Sequence, residues 1–266
     1  MKVTIVIDGT EVSVEKGTSL LVAARRAGIA IPALCFHDAL EPYGSCRLCL
    51  VEVTRGTRRR MTTSCNYPVN GEGETVSTSS PAVLRARAVV MELLLARCPG
   101  SEQVRATAAS MGVTASRFPA PAPAGVDAED EALVDCILCG LCVRACAEKI
   151  GASAIGFAER GPWRRVASPF QVNAAACIGC GACAAVCPTG VIRLEDGPDG
   201  VRRIPFLHTA VPLRRCAECG AAVAPEVQLE VIAKQAAAAQ AGLALCPSCR
   251  SRDFAAKMAR WTAATS

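Results

Sequence analysis

Two cysteine runs with identical spacing constrain this chain more than any other feature of its sequence. They are Cys136, Cys139, Cys142 and Cys146 in the first run, and Cys177, Cys180, Cys183 and Cys187 in the second. No signal peptide is expected from the strand-like start "MKVTIVIDGTEV", and no apolar run approaches the roughly 20 residues that span a bilayer. We therefore expect a cytoplasmic, reducing location, where clustered cysteines indicate metal sites before disulfides.

The spacing inside each run is typical of an iron–sulfur site. A C-x2-C-x2-C loop can supply three thiolates to a [4Fe–4S] cube, and the fourth must come from elsewhere. In two-cluster ferredoxins the last cysteine of each run ligates the other cluster. This rule predicts one [4Fe–4S] site from Cys136, Cys139, Cys142 and Cys187, and another from Cys146, Cys177, Cys180 and Cys183. The usual proline after the run is kept as Pro188 but replaced by Ala147 in the first run.

Four further cysteines precede these runs, within a β-rich segment. They are Cys35, Cys46, Cys49 and Cys65. Their spacing is wider than the plant-type pattern, yet four thiolates on loops beside strands predict a [2Fe–2S] cluster. The pair Asp8-Gly9 predicts a hairpin turn, "CLVEVT" and "RRMTTSC" predict a second hairpin, and Thr18 is expected to cap a helix through Ala27. Because these four cysteines are sufficient, we expect His37 to form a hydrogen bond or lie at the surface.

Two C-x2-C pairs lie in the last quarter of the chain. They are Cys216 with Cys219, and Cys246 with Cys249. Together they supply a tetrahedral set of four sulfurs that suits Zn²⁺ or iron–sulfur. The Cys-x-x-Cys-Gly turn favours a zinc ribbon, while an additional iron–sulfur cluster and a free redox dithiol stay open as alternatives.

Around these cysteines the sequence resembles a known family. The segment "IPALCFHDALEPYGSCRLCLVEV" resembles the amino-terminal ferredoxin domain of the large iron–sulfur subunit of respiratory complex I and of its relatives in NAD-linked hydrogenases and formate dehydrogenases. The segment "CILCGLCVRACAEKIGASAIGFAERG" is similar to the cubane segment of the same group. The resemblance covers roughly residues 1–200. It departs from the family between these segments, where the usual cluster of one histidine and three cysteines is reduced to Cys98 alone.

We expect an α+β fold in four parts, of which the resemblance implies the first three and the two C-x2-C pairs the last. We expect a β-grasp [2Fe–2S] ferredoxin-like domain over residues 1–80, and a helical connector with a Pro/Ala linker over residues 81–125. A bacterial-type ferredoxin domain with two [4Fe–4S] clusters is expected over residues 126–200. Residues 201–266 are expected to form a small four-cysteine module resembling a zinc ribbon. In the connector, Ser80 predicts the start of a helix, and Pro99-Gly100 predicts its end.

No self-contained active site is predicted, because the sequence has no G-x-G-x-x-G after a strand, no P-loop and no plausible Ser/His/Asp set. The resemblance implies a detached electron-transfer subunit, which relays single electrons between a flavin/NAD subunit and a catalytic subunit of hydrogenase or formate dehydrogenase type. The alternatives are a redox-sensing regulatory or nucleic-acid-binding protein and a scaffold that delivers clusters. Nucleic acid is disfavoured, because four sites of about −2 each would turn the formal charge of +5 to about −3. Arg144, Arg164, Arg165, Arg214 and Arg215 are expected to compensate the metal sites.

Overall fold

The computed structural model describes residues 1–120, 135–169, 174–235 and 242–265. Over these ranges the chain is a mixed α and β protein, as expected. Among the helices in these ranges, none combines the length and the apolar character that crossing a lipid bilayer would require.

The amino-terminal part is a five-stranded sheet with one helix packed against it. Its elements are β1 (Lys2–Ile7), β2 (Thr10–Glu15), α1 (Leu20–Arg26), β3 (Leu50–Arg55), β4 (Arg58–Thr63) and β5 (Glu74–Ser77). The strand order is β2-β1-β5-β3-β4, in which β1 and β5 are parallel and all other pairs are antiparallel. Alternate residues of β1 point inward, so Ile5 and Ile7 are buried in one core with Leu20 and Leu21 of α1. Both predicted hairpins are present.

The connector consists of two helices, α2 (Pro81–Arg97) and α3 (Glu102–Ser110). Ser80 caps α2 as predicted, because its hydroxyl accepts a hydrogen bond from the backbone N–H of Val83. The predicted Pro/Ala linker lies largely outside the described residues. Arg87 ties α2 to the first sheet: its side chain is buried and its Nε donates to the carbonyl of Leu50 over 2.9 Å.

Replacing Arg87 by methionine should destabilise this joint. The carbonyl of Leu50 would lose a charge-assisted hydrogen bond, so we expect the free energy of unfolding to fall by about 1.5–3 kcal/mol. The measurement is anaerobic denaturant unfolding of the metal-loaded protein. Arg85→Met is the matched control, because Arg85 lies on the exposed face of the same helix. If the free energy of unfolding fell equally in the two variants, the Arg87 contact would not be the cause of the loss.

The two cysteine runs fold as structural repeats. Their elements are α4 (Leu141–Arg144), a π-helical turn (Ala145–Ile150), β6 (Gly156–Ala158), β7 (Arg165–Ala167) and α5 (Ala182–Ala185). Each run turns through a glycine in the left-handed conformation, Gly140 with φ +71° and Gly181 with φ +79°, and then enters a four-residue helix. The repeated spacing in the sequence thus becomes a repeated loop-and-helix unit.

The remaining elements form a second sheet and two helices. They are β8 (Glu195–Asp196), β9 (Val201–Ile204), β10 (Thr209–Arg215), β11 (Ala222–Pro225), α6 (Glu226–Gln235) and α7 (Pro247–Thr265). The antiparallel order is β11-β10-β9-β8. The domain boundary expected after residue 200 therefore falls inside a hairpin, where Gly197 N donates to Val201 O over 2.9 Å. Because β8 pairs with β9, the second sheet contains residues on both sides of residue 200.

Candidate metal centres

The four amino-terminal cysteines converge beside the first sheet, and all four are buried. Cys49 directly precedes β3 and Cys65 lies two residues beyond the end of β4, while Cys35 and Cys46 bracket a loop. The thiols of Cys46 and Cys65 influence the pKa of Cys35, and the thiols of Cys49 and Cys65 influence each other. Cys46 also donates its backbone N–H to the Cys35 sulfur over 3.4 Å.

Electrostatics divide the four thiols of this site: the pKa of Cys35 and of Cys49 is lowered, while that of Cys46 and of Cys65 is raised. The hydrogen bond from the Cys46 thiol lowers the pKa of Cys35, with a smaller contribution from Cys65. The same interaction raises the pKa of Cys46, because that thiol keeps the shared proton. A bound cation would release that proton, since metal ligands must be deprotonated. The set therefore fits a cationic iron–sulfur centre.

Two cavities lie between the cysteine runs, and each is lined by cysteines from both runs. One is lined by Cys136, Cys139, Cys142 and Cys187, and the other by Cys146, Cys177, Cys180 and Cys183. These are the two crossed sets that the spacing predicted. Aliphatic side chains form most of the remaining walls. In the second cavity, Ile204 of β9 and Leu207 of the turn that follows β9 complete the lining.

Backbone groups and burial adapt these cavities to a charged cluster. Leu138 N donates to the Cys136 sulfur over 3.4 Å, and Ala154 N donates to the Cys146 sulfur over 3.3 Å. Burial raises the pKa of Cys139 and of Cys183 to about 12. These thiols hold their protons at neutral pH unless a positive charge binds, so both cavities fit a cationic core that displaces the protons.

The tail cysteines form the tightest set. The sulfurs of Cys216, Cys219, Cys246 and Cys249 all lie within 4.8 Å of one another. Within the described ranges, no other three cysteine, histidine or acidic side chains meet that criterion. The Cys219 and Cys246 sulfurs are 3.6 Å apart, close to the spacing of about 3.8 Å that four sulfurs at about 2.3 Å from one ion require.

Polar groups around the tail set point at its sulfurs. Cys246 N donates to the Cys216 sulfur over 3.3 Å, and Arg252 donates to the Cys249 sulfur over 2.9 Å. Of the arginines expected to compensate the metal sites, Arg215 instead donates to the carbonyl of Pro198 over 3.0 Å. Arg252, one helical turn beyond Cys249, was not singled out from the sequence, although its spacing of three residues on a helix could have indicated the contact.

The two remaining candidates from the sequence have ordinary structural roles. His37 uses its Nδ1 to accept a hydrogen bond from the backbone N–H of Ala39 over 3.1 Å. Cys98 is buried at the carboxyl end of α2, where its N–H donates to the carbonyl of Leu94. It packs in one apolar cluster with Cys35, Cys46 and Cys139.

The loop of residues 41–45, here termed the junction loop, brings the first site against the first cysteine run. Ser45 Oγ donates to the carbonyl of Leu138 over 2.9 Å. Arg144 donates through Nη2 to the carbonyl of Cys35 over 3.0 Å and through Nη1 to that of Glu41. Sequence reasoning noted Arg144 only as a nearby charge and missed Ser45, because a single serine in a loop carries no recognisable signal.

Comparison with known proteins agrees with this arrangement. Residues 1–81 match the family described as a 2Fe-2S iron-sulfur cluster binding domain, and residues 135–191 and 176–225 match a 4Fe-4S dicluster domain. A crystal structure of an NAD⁺-reducing [NiFe]-hydrogenase in the H2-reduced state aligns with a TM-score of 0.55 at 34% identity, covering 62% of this chain and 74% of that one. The chain belongs to the family of iron–sulfur proteins that combine a 2Fe-2S cluster binding domain with a 4Fe-4S dicluster domain. The family resemblance inferred from the cysteine segments is therefore confirmed.

Relatives in the family are larger proteins. A subunit of the NADH-quinone oxidoreductase of Rhizobium meliloti is 34% identical over 207 residues, which cover 71% of this chain and 24% of the relative. The HndD subunit of the NADP-reducing hydrogenase of Solidesulfovibrio fructosivorans is 34% identical over 210 residues, covering 71% of this chain and 35% of the relative. The chain thus spans about a quarter to a third of the length of these relatives.

Proposed function

We propose that this chain is an iron–sulfur electron-transfer subunit that relays single electrons between other subunits of an oxidoreductase complex. Iron–sulfur clusters supply one-electron chemistry when bound. The observation that carries the proposal is the pair of cavities lined by crossed cysteine sets, beside a third buried set. Two members of that third set, Cys35 and Cys46, share an apolar cluster with Cys139 of the first cavity. Such a row of closely packed sites suits a relay.

The chain's residues divide among three redox centres in this proposal. A [2Fe–2S] cluster is held by Cys35, Cys46, Cys49 and Cys65, within a domain whose mixed sheet and packed helix support the β-grasp assignment. One [4Fe–4S] cluster is held by Cys136, Cys139, Cys142 and Cys187. The other is held by Cys146, Cys177, Cys180 and Cys183. The protein's own contribution is to bury these sulfurs, to aim backbone N–H groups at them and to exclude water.

The tail set is proposed to bind one Zn²⁺ ion. Four sulfurs within 4.8 Å of one another support a single tetrahedral ion, whereas the sulfurs of the other three sets are spread more widely, as a cluster of several irons needs. With Cys249 inside α7 and Cys216 directly after β10, such an ion would fasten the last helix to the second sheet.

The partners are proposed from the chemistry that the chain lacks and from the names of its relatives. Splitting a hydride into single electrons needs a flavin, and the sequence carries no dinucleotide-binding fingerprint. Relatives are named as subunits of NADH-quinone oxidoreductase and NADP-reducing hydrogenase. We therefore infer that one partner is a flavin/NAD subunit and the other a catalytic subunit of hydrogenase or formate dehydrogenase type.

Metal analysis with EPR tests the proposal. After full anaerobic reconstitution we expect about ten irons and as many sulfides per chain, because one [2Fe–2S] and two [4Fe–4S] clusters require that number. The reduced protein should show one [2Fe–2S] and two [4Fe–4S] signals, and about one zinc should remain. A colourless protein without inorganic sulfide would exclude the relay. Additional iron in place of zinc would exclude only the zinc assignment.

A further inference from the structure

The junction loop connects two cysteines that belong to different proposed centres. Ser45 directly precedes Cys46, and Leu138 directly precedes Cys139. The hydroxyl of Ser45 donates to the carbonyl of Leu138 over 2.9 Å. From one cysteine sulfur to the other, the path therefore consists of covalent bonds with a single hydrogen bond between them.

The backbone conformation of Leu138 places its N–H and its carbonyl in two different contacts of this path. Its φ of +52° lies in the left-handed region, which a leucine occupies only where its surroundings enforce it. In this conformation its N–H donates to the Cys136 sulfur over 3.4 Å while its carbonyl accepts from Ser45. The residue thus contacts a ligand of the first cavity and the loop of the [2Fe–2S] site at once.

The junction loop is also held by contacts that do not involve Ser45. At its start, Glu41 N donates to the carboxylate of Glu148 over 3.0 Å, and Arg144 donates to the carbonyl of Glu41. Arg144 reaches the carbonyl of Cys35 as well, over 3.0 Å. These contacts fix the start of the loop to the first cysteine run independently of Ser45.

The middle of the loop is held by an aromatic contact. The rings of Tyr43 and Phe157 stack with centroids 6.4 Å apart, and Tyr43 Oη accepts a hydrogen bond from Arg164 over 3.1 Å. The Arg164 guanidinium lies 3.9 Å from the centroid of the Phe157 ring. Loss of the Ser45 hydroxyl alone should therefore leave the loop, and the separation of the two sites, in place.

We propose that the Ser45–Leu138 hydrogen bond is the electronic bridge between the [2Fe–2S] centre at Cys46 and the [4Fe–4S] centre at Cys139. The inference rests on the proposed function and deepens it by naming a residue. One electron leaves one centre, which is oxidised, and enters the other, which is reduced. No proton is transferred, because the hydroxyl hydrogen stays on Ser45. Ser45 acts as a positioning residue that contributes coupling without binding iron.

The test measures electron exchange within the full, reconstituted chain. A light flash reduces deazaflavin, which then supplies single electrons to the protein. Freeze-quench EPR follows the [2Fe–2S] and [4Fe–4S] signals while the electron equilibrates between the two centres. We expect Ser45→Ala to slow equilibration severalfold, with unchanged midpoint potentials and an unchanged centre-to-centre separation by pulsed EPR. Ser45→Thr should keep the wild-type rate, because it keeps the hydroxyl. Tyr43→Phe is the matched control, since it removes a hydrogen bond of the same loop but spares the bridge.

Two results would overturn the bridge. One is a Ser45→Ala protein that equilibrates as fast as the wild type. The other is a slowed protein whose centre-to-centre separation has changed, because Ser45 would then only hold the loop in place. Failure of the relay itself would look different: the wild-type centres would be absent, or would be reduced without ever exchanging electrons.

Discussion

Replacing Cys187 by alanine is expected to empty the cavity of the first cysteine run rather than that of its own run. About four irons should be lost, because one [4Fe–4S] cluster lacks its fourth ligand. The reason is geometric: Cys187 lines the cavity that contains Cys136, Cys139 and Cys142. Anaerobic alkylation followed by mass spectrometry should find those three thiols newly reactive, while Cys177, Cys180 and Cys183 stay protected.

The reciprocal variant sharpens this prediction. Cys146→Ala should expose Cys177, Cys180 and Cys183 instead, because these residues line the second cavity with Cys146. Cys98→Ala serves as the control and should leave all iron in place, since Cys98 lines neither cavity. If each variant exposed the thiols of its own run, the crossed arrangement would be wrong.

A chain that ends at residue 200 should lose its second [4Fe–4S] site, although the sequence suggested a domain boundary there. It would lack Ile204, Phe206 and Leu207, which are buried in one cluster with Cys142, Ala154 and Ile155. Burial of each such side chain contributes about 1.5–3 kcal/mol, so their joint loss should open the cavity to water and oxygen. Iron content and the half-life of the visible absorbance in air measure the effect.

A chain ending at residue 235 provides the comparison. It keeps the second sheet and removes only the segment that carries Cys246 and Cys249. We expect it to retain both [4Fe–4S] sites and to lose the tail metal. Equal air sensitivity of the two truncated chains would show that the second sheet does not protect the second cavity.

Cysteine spacing allowed the sites to be anticipated because it fixes which sulfurs a short loop can bring together. A C-x2-C-x2-C loop reaches three corners of one cluster, so the fourth ligand was expected from the other run, and Cys187 and Cys146 do line the cavities of the opposite runs. The hairpin at Asp8-Gly9 and the helix cap at Ser80 were also predictable, because both depend on residues adjacent in the chain.

Other features depended on contacts that spacing does not encode. Ser45 and Leu138 are 93 residues apart in sequence, and Tyr43 and Arg164 are 121 apart. The cap of α1 is Ser19 rather than the predicted Thr18: Ser19 is extended, and its hydroxyl accepts a hydrogen bond from Val22 N. The carbonyl of Thr18 accepts a hydrogen bond from Val69 N, a contact with a segment that is distant in sequence.

The close packing around Gly179 has a consequence for how the protein matures. Gly179 has φ +67°, and a Cβ there would lie 3.0 Å from Pro225 and closer still to Val211. The loop that carries Cys177 and Cys180 is therefore packed against residues that are synthesised well after it. Because a nascent chain folds from its amino terminus, the [2Fe–2S] pocket can close while synthesis continues. The loop at Gly179, beside the second cavity, can therefore reach its final packing only after β10 and β11 have left the ribosome.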